Sequence, residues 1–148
     1  MEDKRYNRGK IYRIVDIGYS KCYIGSTIED LKQRMTKHRD KYKQYQQGKY
    51  KYITSFSLFN EYDIENCKIE LIENYPCNNK VELEAREGYH IRNEDCLNKR
   101  IEGRTKQEYY NDNIDKFKQY RVDNKDSKTE YNISYRVANL EREKQRNA

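Results

Sequence analysis

The sequence predicts a small α/β fold: a mainly antiparallel three-stranded sheet flanked by helices, with a C-terminal helical extension. Three observations carry this reading. Two short β-rich runs, Lys10-Ile11-Tyr12-Arg13-Ile14-Val15-Asp16 and Cys22-Tyr23-Ile24, stand on either side of Ile17-Gly18-Tyr19-Ser20-Lys21, which supplies turn residues, so a hairpin is the economical arrangement. A third run, Cys67-Lys68-Ile69-Glu70-Leu71-Ile72, alternates partly and reads as a strand. Helical periodicity fills most of what lies between and after these runs.

Gly25 and Ser26 end the second strand, and Thr27 with Asp30 has the spacing of a capping box. The helix so opened is expected to run to about Gln47, with Gly48 as its stop signal. Ile28, Leu31, Met35, Tyr42 and Tyr45 form its apolar stripe, while Lys32, Lys37, Arg39 and Lys43 lie elsewhere. Arg34 and His38, one turn apart at the edge of that stripe, can face the hairpin together. Residues 52–62, with Ile53, Phe56, Leu58 and Phe59, predict a short helix closing the core. After the third strand, Pro76 and Asn78-Asn79 break the chain. Asn79 with Glu82 then opens a helix to roughly Asn93, and Leu97-Asn98 follows as a short extended piece.

Beyond residue 100 the character changes, which divides the chain into a domain over 1–100 and a Tyr/Asn/Lys/Arg-rich tail over 101–148. After Gly103 there is no Gly or Pro, and Thr105/Glu108 and Ser127/Glu130 each match a capping box. Two helices with a break near Asn124-Lys125-Asp126 are expected. A weak Tyr-x-x-x-Asn repeat runs through them at Tyr109/Asn113, Tyr120/Asn124 and Tyr135/Asn139. Tyr110, Ile114, Phe117, Tyr131 and Tyr135 would form a stripe if helix ran through both halves, too thin to be a core by itself.

The chain has 148 residues, of which 34% are hydrophobic and 38% charged, so the core is small and the surface highly solvated. No apolar run suits a membrane span or a secretory leader, and a soluble, intracellular protein is expected. Cys22, Cys67, Cys77 and Cys96 show none of the close pairs of zinc or redox motifs and read as reduced and structural. Net charge is +6, and it is uneven. Residues 1–50 hold 13 Lys/Arg against 6 Asp/Glu, whereas residues 51–100 hold 7 against 10. Such a basic first third suits a polyanion such as DNA or RNA, and equally a solvated cationic face.

Gly9 followed by Lys10-Ile11-Tyr12, then Tyr23-Ile24-Gly25, Arg34, His38, the segment Leu83-Glu84-Ala85-Arg86-Glu87-Gly88-Tyr89-His90-Ile91 and finally Asn98 occur in order over residues 9–98. This constellation resembles the GIY-YIG nuclease superfamily, with Lys10 standing where that family usually has Gly. The resemblance covers about two-thirds of the chain and not the tail. It implies a metal-dependent endonuclease that hydrolyses DNA phosphodiester bonds with one Mg²⁺ or Mn²⁺ per active site. By position it implies Tyr12 and Tyr23 as the paired tyrosines, Arg34 as the phosphate ligand and Glu87 as the metal ligand. Tyr12 is taken as the base and Tyr23 as its positioning partner. Such chemistry needs an activated water, a cation on the developing charge and a metal on the phosphate. A phenol with a pKa of about 10 serves as base only beside a cation.

Glu87 also stands out on physical grounds: its i−4 and i+4 neighbours are Leu83 and Ile91, an interior-facing row where a charge is costly unless paired or metal-bound. Glu82 and Glu84 are assigned to capping and solvent. His38 has two readings, a hydrogen bond to phosphate or to a catalytic tyrosine, and simple packing beside Met35 and Tyr42. His90 reads as structural or exposed, and Asn98 as a structural hydrogen-bonding residue. The tail could track a DNA backbone, pair with itself in a dimer, or pack on the first domain or remain partly disordered, given its many charges of both signs. DNA contact is preferred, because nucleases of this type usually add a binding element to a small catalytic domain. The chain is then a monomer or a homodimer on DNA. Two rivals remain, a catalytically silent DNA-binding protein with the same fold and an adaptor using the Tyr-rich tail. Abundant Lys, Asn, Tyr and Ile hint at an AT-rich genome, such as that of a mobile element or virus.

Overall fold

β1 (Lys10–Asp16) is the central strand of a three-stranded antiparallel sheet of order β2-β1-β3, paired on one side with β2 (Cys22–Thr27) and on the other with β3 (Cys67–Asn74). The computed structural model describes residues 3–147, which part into two compact units at Arg104/Thr105. A central strand is covered on both faces, so Ile11, Tyr12, Ile14 and Val15 are all buried. Alternation sends them to two cores. Tyr12 and Ile14 join Met35, Tyr42, Phe56 and Phe59 on the side of α1 (Leu31–Gln46) and α2 (Ser55–Tyr62). Ile11 joins Ile24, Leu83 and Ile91 on the side of α3 (Lys80–Asn93).

The register places Tyr12 opposite Gly25 and Arg13 opposite Glu70, whose side chains pair at 3.2 Å. A register shift between Ile11 and Tyr12 marks the pairing with β3.

Several local expectations need correction. Thr27 does not cap α1, because β2 continues through it and its hydroxyl accepts the Glu29 N–H instead; Asp30 is the N-cap residue, without a side-chain bond. Ile28, ahead of the helix, packs in the α3-side cluster and not on the α1 stripe. The helix predicted over 52–62 begins only at Ser55. The short piece at Leu97-Asn98 closes the free edge of β2. Leu97 N–H donates to the Cys22 carbonyl at 2.8 Å, and the Asn98 amide both accepts from Ile24 N–H and donates to the Ile24 carbonyl, each at 2.8 Å. All four cysteines are free thiols.

The second unit holds three helices where two were expected: α4 (Lys106–Asp112), α5 (Ile114–Asp123) and α6 (Lys125–Arg146). Thr105 and Glu108 form the predicted capping box, whereas Ser127 and Glu130 fall inside α6. The Tyr-x-x-x-Asn repeat proves to be a helix stop. Asn113 and Asn124, at the ends of α4 and α5, each donate a side-chain N–H to the carbonyl of the tyrosine four residues earlier, at 2.8 Å. The same device recurs in the first unit at Tyr62/Asn66 and Tyr89/Asn93. Each bond adds a side-chain donor to a carbonyl in the last turn of the helix or just beyond it. Asn139 lies mid-helix in α6 and caps nothing. Tyr110 stacks on Phe117 and Tyr131 on Tyr135, two separate pairs with no continuous stripe. No described helix is long and apolar enough to cross a membrane.

Replacing Asn98 by Ala strips both partners from the Ile24 backbone at once. Leaving such groups unmet costs about 1–3 kcal/mol, so Asn98→Ala is expected to lose roughly that much in urea unfolding. Asn98→Asp, which keeps only the acceptor, should recover part of it.

Candidate active site

The site forms at the C-terminal end of β2 because an edge strand is where helices on opposite faces of a sheet can both reach the same place. There a cleft of about 510 Å³ opens, lined by Tyr23, Gly25 and Ser26 of β2, by Arg34 and Lys37 of α1, and by Lys80, Glu84 and Glu87 of α3, with Tyr6 and Glu102 at its margin. Tyr23, Arg34 and Glu87, distant in sequence, therefore share one wall system.

Tyr12 lies directly beneath. Its side chain is 0% exposed, and its ring crosses its register partner Gly25 so closely that an added Cβ there would stand 2.5 Å from the hydroxyl oxygen. That close approach is what the glycine of Tyr23-Ile24-Gly25 permits. Arg34 Nε donates to the Tyr12 hydroxyl at 2.9 Å, and the same oxygen lies 2.9 Å from His38 Nε2. Because the phenol oxygen accepts from Arg34, its single proton goes to His38, which fixes the imidazole as an Nε2 acceptor with Nδ1–H toward Ser55 Oγ at 3.4 Å. Burial, then the charges of Arg34 and Lys41, push the His38 pKa down to about 3, so the ring is neutral, as this chain of bonds requires.

Both readings of His38 hold together. It is packed in the core, edge-on to Phe59, and it also bonds a tyrosine of the site. Burial raises the pKa of both phenols. For Tyr12 the adjacent Arg34 charge and hydrogen bond oppose the rise, while Tyr23 has only a weaker opposing effect of Arg34 and lies nearer the open cleft.

Glu87 is 7% exposed and accepts a short hydrogen bond from Ser26 Oγ. Burial raises its pKa to about 7 against the Ser26 bond, which lowers it, and nearby Glu102 and Glu84 add to the rise. A buried carboxylate in acidic company, facing a polar cleft, is a poor place for a lone charge and a good one for a divalent cation. Among the described residues no group of three or more His, Cys, Asp and Glu side chains could hold a metal by itself. The donor set nonetheless fits Mg²⁺, which keeps several waters and takes one or two carboxylates plus substrate oxygens.

Elsewhere the sequence-derived assignments fare unevenly. Glu82 serves the start of α3 as expected, accepting from Asn78 N–H at 3.0 Å. Glu84, assigned to solvent, lines the cleft instead, because it sits one turn before Gly88 on the same side as Glu87. His90 is structural, between Glu73 at 3.0 Å and Glu94 at 2.8 Å. Several cleft residues were missed, among them Lys37, which could have been found from its i+3 spacing to Arg34. Glu102 carried no sequence signal: it arrives because the backbone at residues 102–103 presses onto α3 at Gly88, where an added Cβ would meet the Glu102 carbonyl at 2.1 Å.

The catalytic domain of the intron endonuclease I-TevI, solved as a mutant, is a structure to which this chain is similar, with 24% identity, a TM-score of 0.44, and coverage of 66% of this chain and 91% of that one. No protein-family model matches the chain, and no curated protein matches it.

The raised pKa of Glu87 has a measurable consequence for stability. The folded state holds this proton more tightly than the unfolded chain, whose carboxyl titrates near 4.5, so stability falls as pH rises from about 4.5 and the full cost is present above about 7. With chelator present, Glu87→Gln should therefore gain on the wild type between pH 5 and pH 8, by on the order of 2–3 kcal/mol in urea unfolding. A gap that stays constant over that range would show that the buried carboxylate carries no such penalty.

Proposed function

We propose that this chain is a GIY-YIG-type endonuclease that hydrolyses DNA phosphodiester bonds with Mg²⁺ or Mn²⁺. The observation that carries the reading is the meeting of Arg34, Tyr23 and Glu87 on one open cleft, with Arg34 held by the Tyr12 hydroxyl just beneath it.

The geometry gives each group a task. Arg34 spends Nε on Tyr12, which leaves its two terminal nitrogens for the oxygens of a phosphate, and a guanidinium suits that fork. Tyr12 is assigned as the base. Of the two phenols it is the one bonded to a cation, and the charge and hydrogen bond of Arg34 oppose the rise that burial imposes on its pKa. Tyr23, on the cleft wall and edge-on to His38 at 5.9 Å between ring centres, orients the attacking water and shields the Tyr12 hydroxyl. Glu87 is the protein ligand of the metal, and Ser26 fixes the carboxylate. The bound ion would polarise the scissile phosphate and offset charge on the leaving oxygen. Lys37 and Lys80 also line the cleft, paired with Glu29 and Glu84.

Incubation with supercoiled plasmid tests the reading. The wild type should nick it with Mg²⁺ and stop on addition of chelator, whereas a silent binding protein would shift the plasmid and never nick it. Arg34→Ala and Glu87→Ala are each expected to lower kcat by about 10²–10³. Tyr12→Phe should cost about 10²–10⁴, and Tyr23→Phe clearly less.

The acidic limb of the pH–rate profile follows from Glu87, since a metal ligand must be deprotonated. At limiting Mg²⁺ the rate should fall as pH drops through about 7, and raising Mg²⁺ should move that limb to lower pH. A limb that ignores the metal concentration would remove Glu87 from the metal site.

A further inference from the structure

The cations of α1 are not scattered evenly around it. At 3.6 residues per turn, Arg34, Lys37 and Lys41 fall within an arc of about 60°, while Lys32, Arg39 and Lys43 project from the opposite side. The first row continues out of the cleft. A smaller hollow beside it is lined by Tyr23, Arg34, Lys37, His38, Lys41 and Ile53. It shares Tyr23, Arg34 and Lys37 with the cleft and has no carboxylate in its wall, whereas the cleft itself carries Glu29, Glu84, Glu87 and Glu102.

Within the hollow, Lys37 is already paired with Glu29. Lys41 is different. Among the described residues it makes no salt bridge, and its ammonium lies 5.6 Å from the centre of the Tyr50 ring, a contact that orients the group without neutralising it. Seven residues at 1.5 Å rise set Lys41 about 10 Å along the helix from Arg34, too far to share its phosphate and on the scale of a nearby phosphate of the same strand. A side chain so placed has the reach and the charge for a second phosphate.

We propose that this hollow is a second backbone subsite: the DNA strand entering the cleft continues along α1, and Lys41 holds a further phosphate of that strand beyond the one at Arg34. This rests on the nuclease reading for the identity of the polyanion and adds to it the direction the strand takes. Lys41 is then a binding residue, remote from the reacting atoms, and its effect falls on affinity.

The experiment is the binding of a fluorescently labelled DNA duplex to the full chain, read by anisotropy in chelator at several salt concentrations. Losing one phosphate contact should make the slope of log K against log salt shallower by about 0.9, which corresponds to about 5- to 10-fold weaker binding near 0.1 M salt. Lys41→Ala is expected to show both effects and Lys41→Arg neither, and Lys43→Ala, on the opposite side of the helix, should change affinity by less than about twofold. In cleavage assays Lys41→Ala should raise KM and leave kcat in place. Equal losses from Lys41→Ala and Lys43→Ala, or no loss from Lys41→Ala while the protein melts normally, would overturn the subsite. Should the wild type bind in a Lys41-dependent way and never nick DNA, the subsite stands and the nuclease reading falls. Nicking combined with Lys41-independent binding would keep the nuclease and remove the subsite, and a wild type that binds no DNA removes both.

Discussion

The buried oxygen of Tyr12 is the point on which the rest of the site depends. It accepts from Arg34 on one side and donates to His38 on the other, both at 2.9 Å, on a side chain that is 0% exposed. In so enclosed a place the pair fixes the guanidinium of Arg34 at the cleft wall and the tautomer of His38 behind it. The cross-strand register makes this possible. Gly25 is the residue opposite Tyr12, and only the absence of a side chain there lets the ring cross the neighbouring strand.

Opening a cleft at the end of an edge strand has a cost that the fold meets locally. β2 exposes one row of backbone groups, and an uncovered edge invites pairing with other chains. Asn98 and Leu97 cover it with three hydrogen bonds while leaving its C-terminal end open to the cleft. Glu87 shows the same economy. Held in an apolar row of α3 and pressed by Glu84 and Glu102, its carboxylate is destabilised in the absence of a counter-charge. That destabilisation is a reservoir of affinity for any cation that enters, since binding relieves it.

The second unit shows how one short pattern can serve several helices. Tyr-x-x-x-Asn ends α4 and α5, and it recurs after α2 and at the end of α3, each time with the Asn amide returned to the tyrosine carbonyl. A chain poor in Gly and Pro over its last third thus stops its helices with side chains in place of backbone breaks. Asn113 and Asn124 are occupied by that work, which leaves the exposed tyrosines and cations of α4 to α6 as the groups through which this unit could meet a partner.

Much of the fold could be read directly from the residues. The hairpin, the third strand, the helix after Asn79 and the Thr105 cap all rest on local chemistry: β-branched runs, turn residues and side chains that reach backbone groups two or three positions away. Local spacing also put Arg34 and His38 on one helix edge and Glu87 in an apolar row. What spacing could not supply is the depth of each group and its neighbours from other elements. Thr27 had the pattern of a cap and became strand, because pairing with β1 satisfied its backbone better than a helix start would. Glu84 and Glu102 reached the cleft only through the packing of one backbone on another at Gly88, and Tyr12 sank beneath Gly25 only once two strands had found their register. Sequence alone determined which side chains share a helix edge or an apolar row, since that is a property of side-chain chemistry and short-range periodicity. The tertiary structure alone decided their burial and partners, and with them their charge states, because desolvation is imposed by parts of the chain that sequence distance does not reveal.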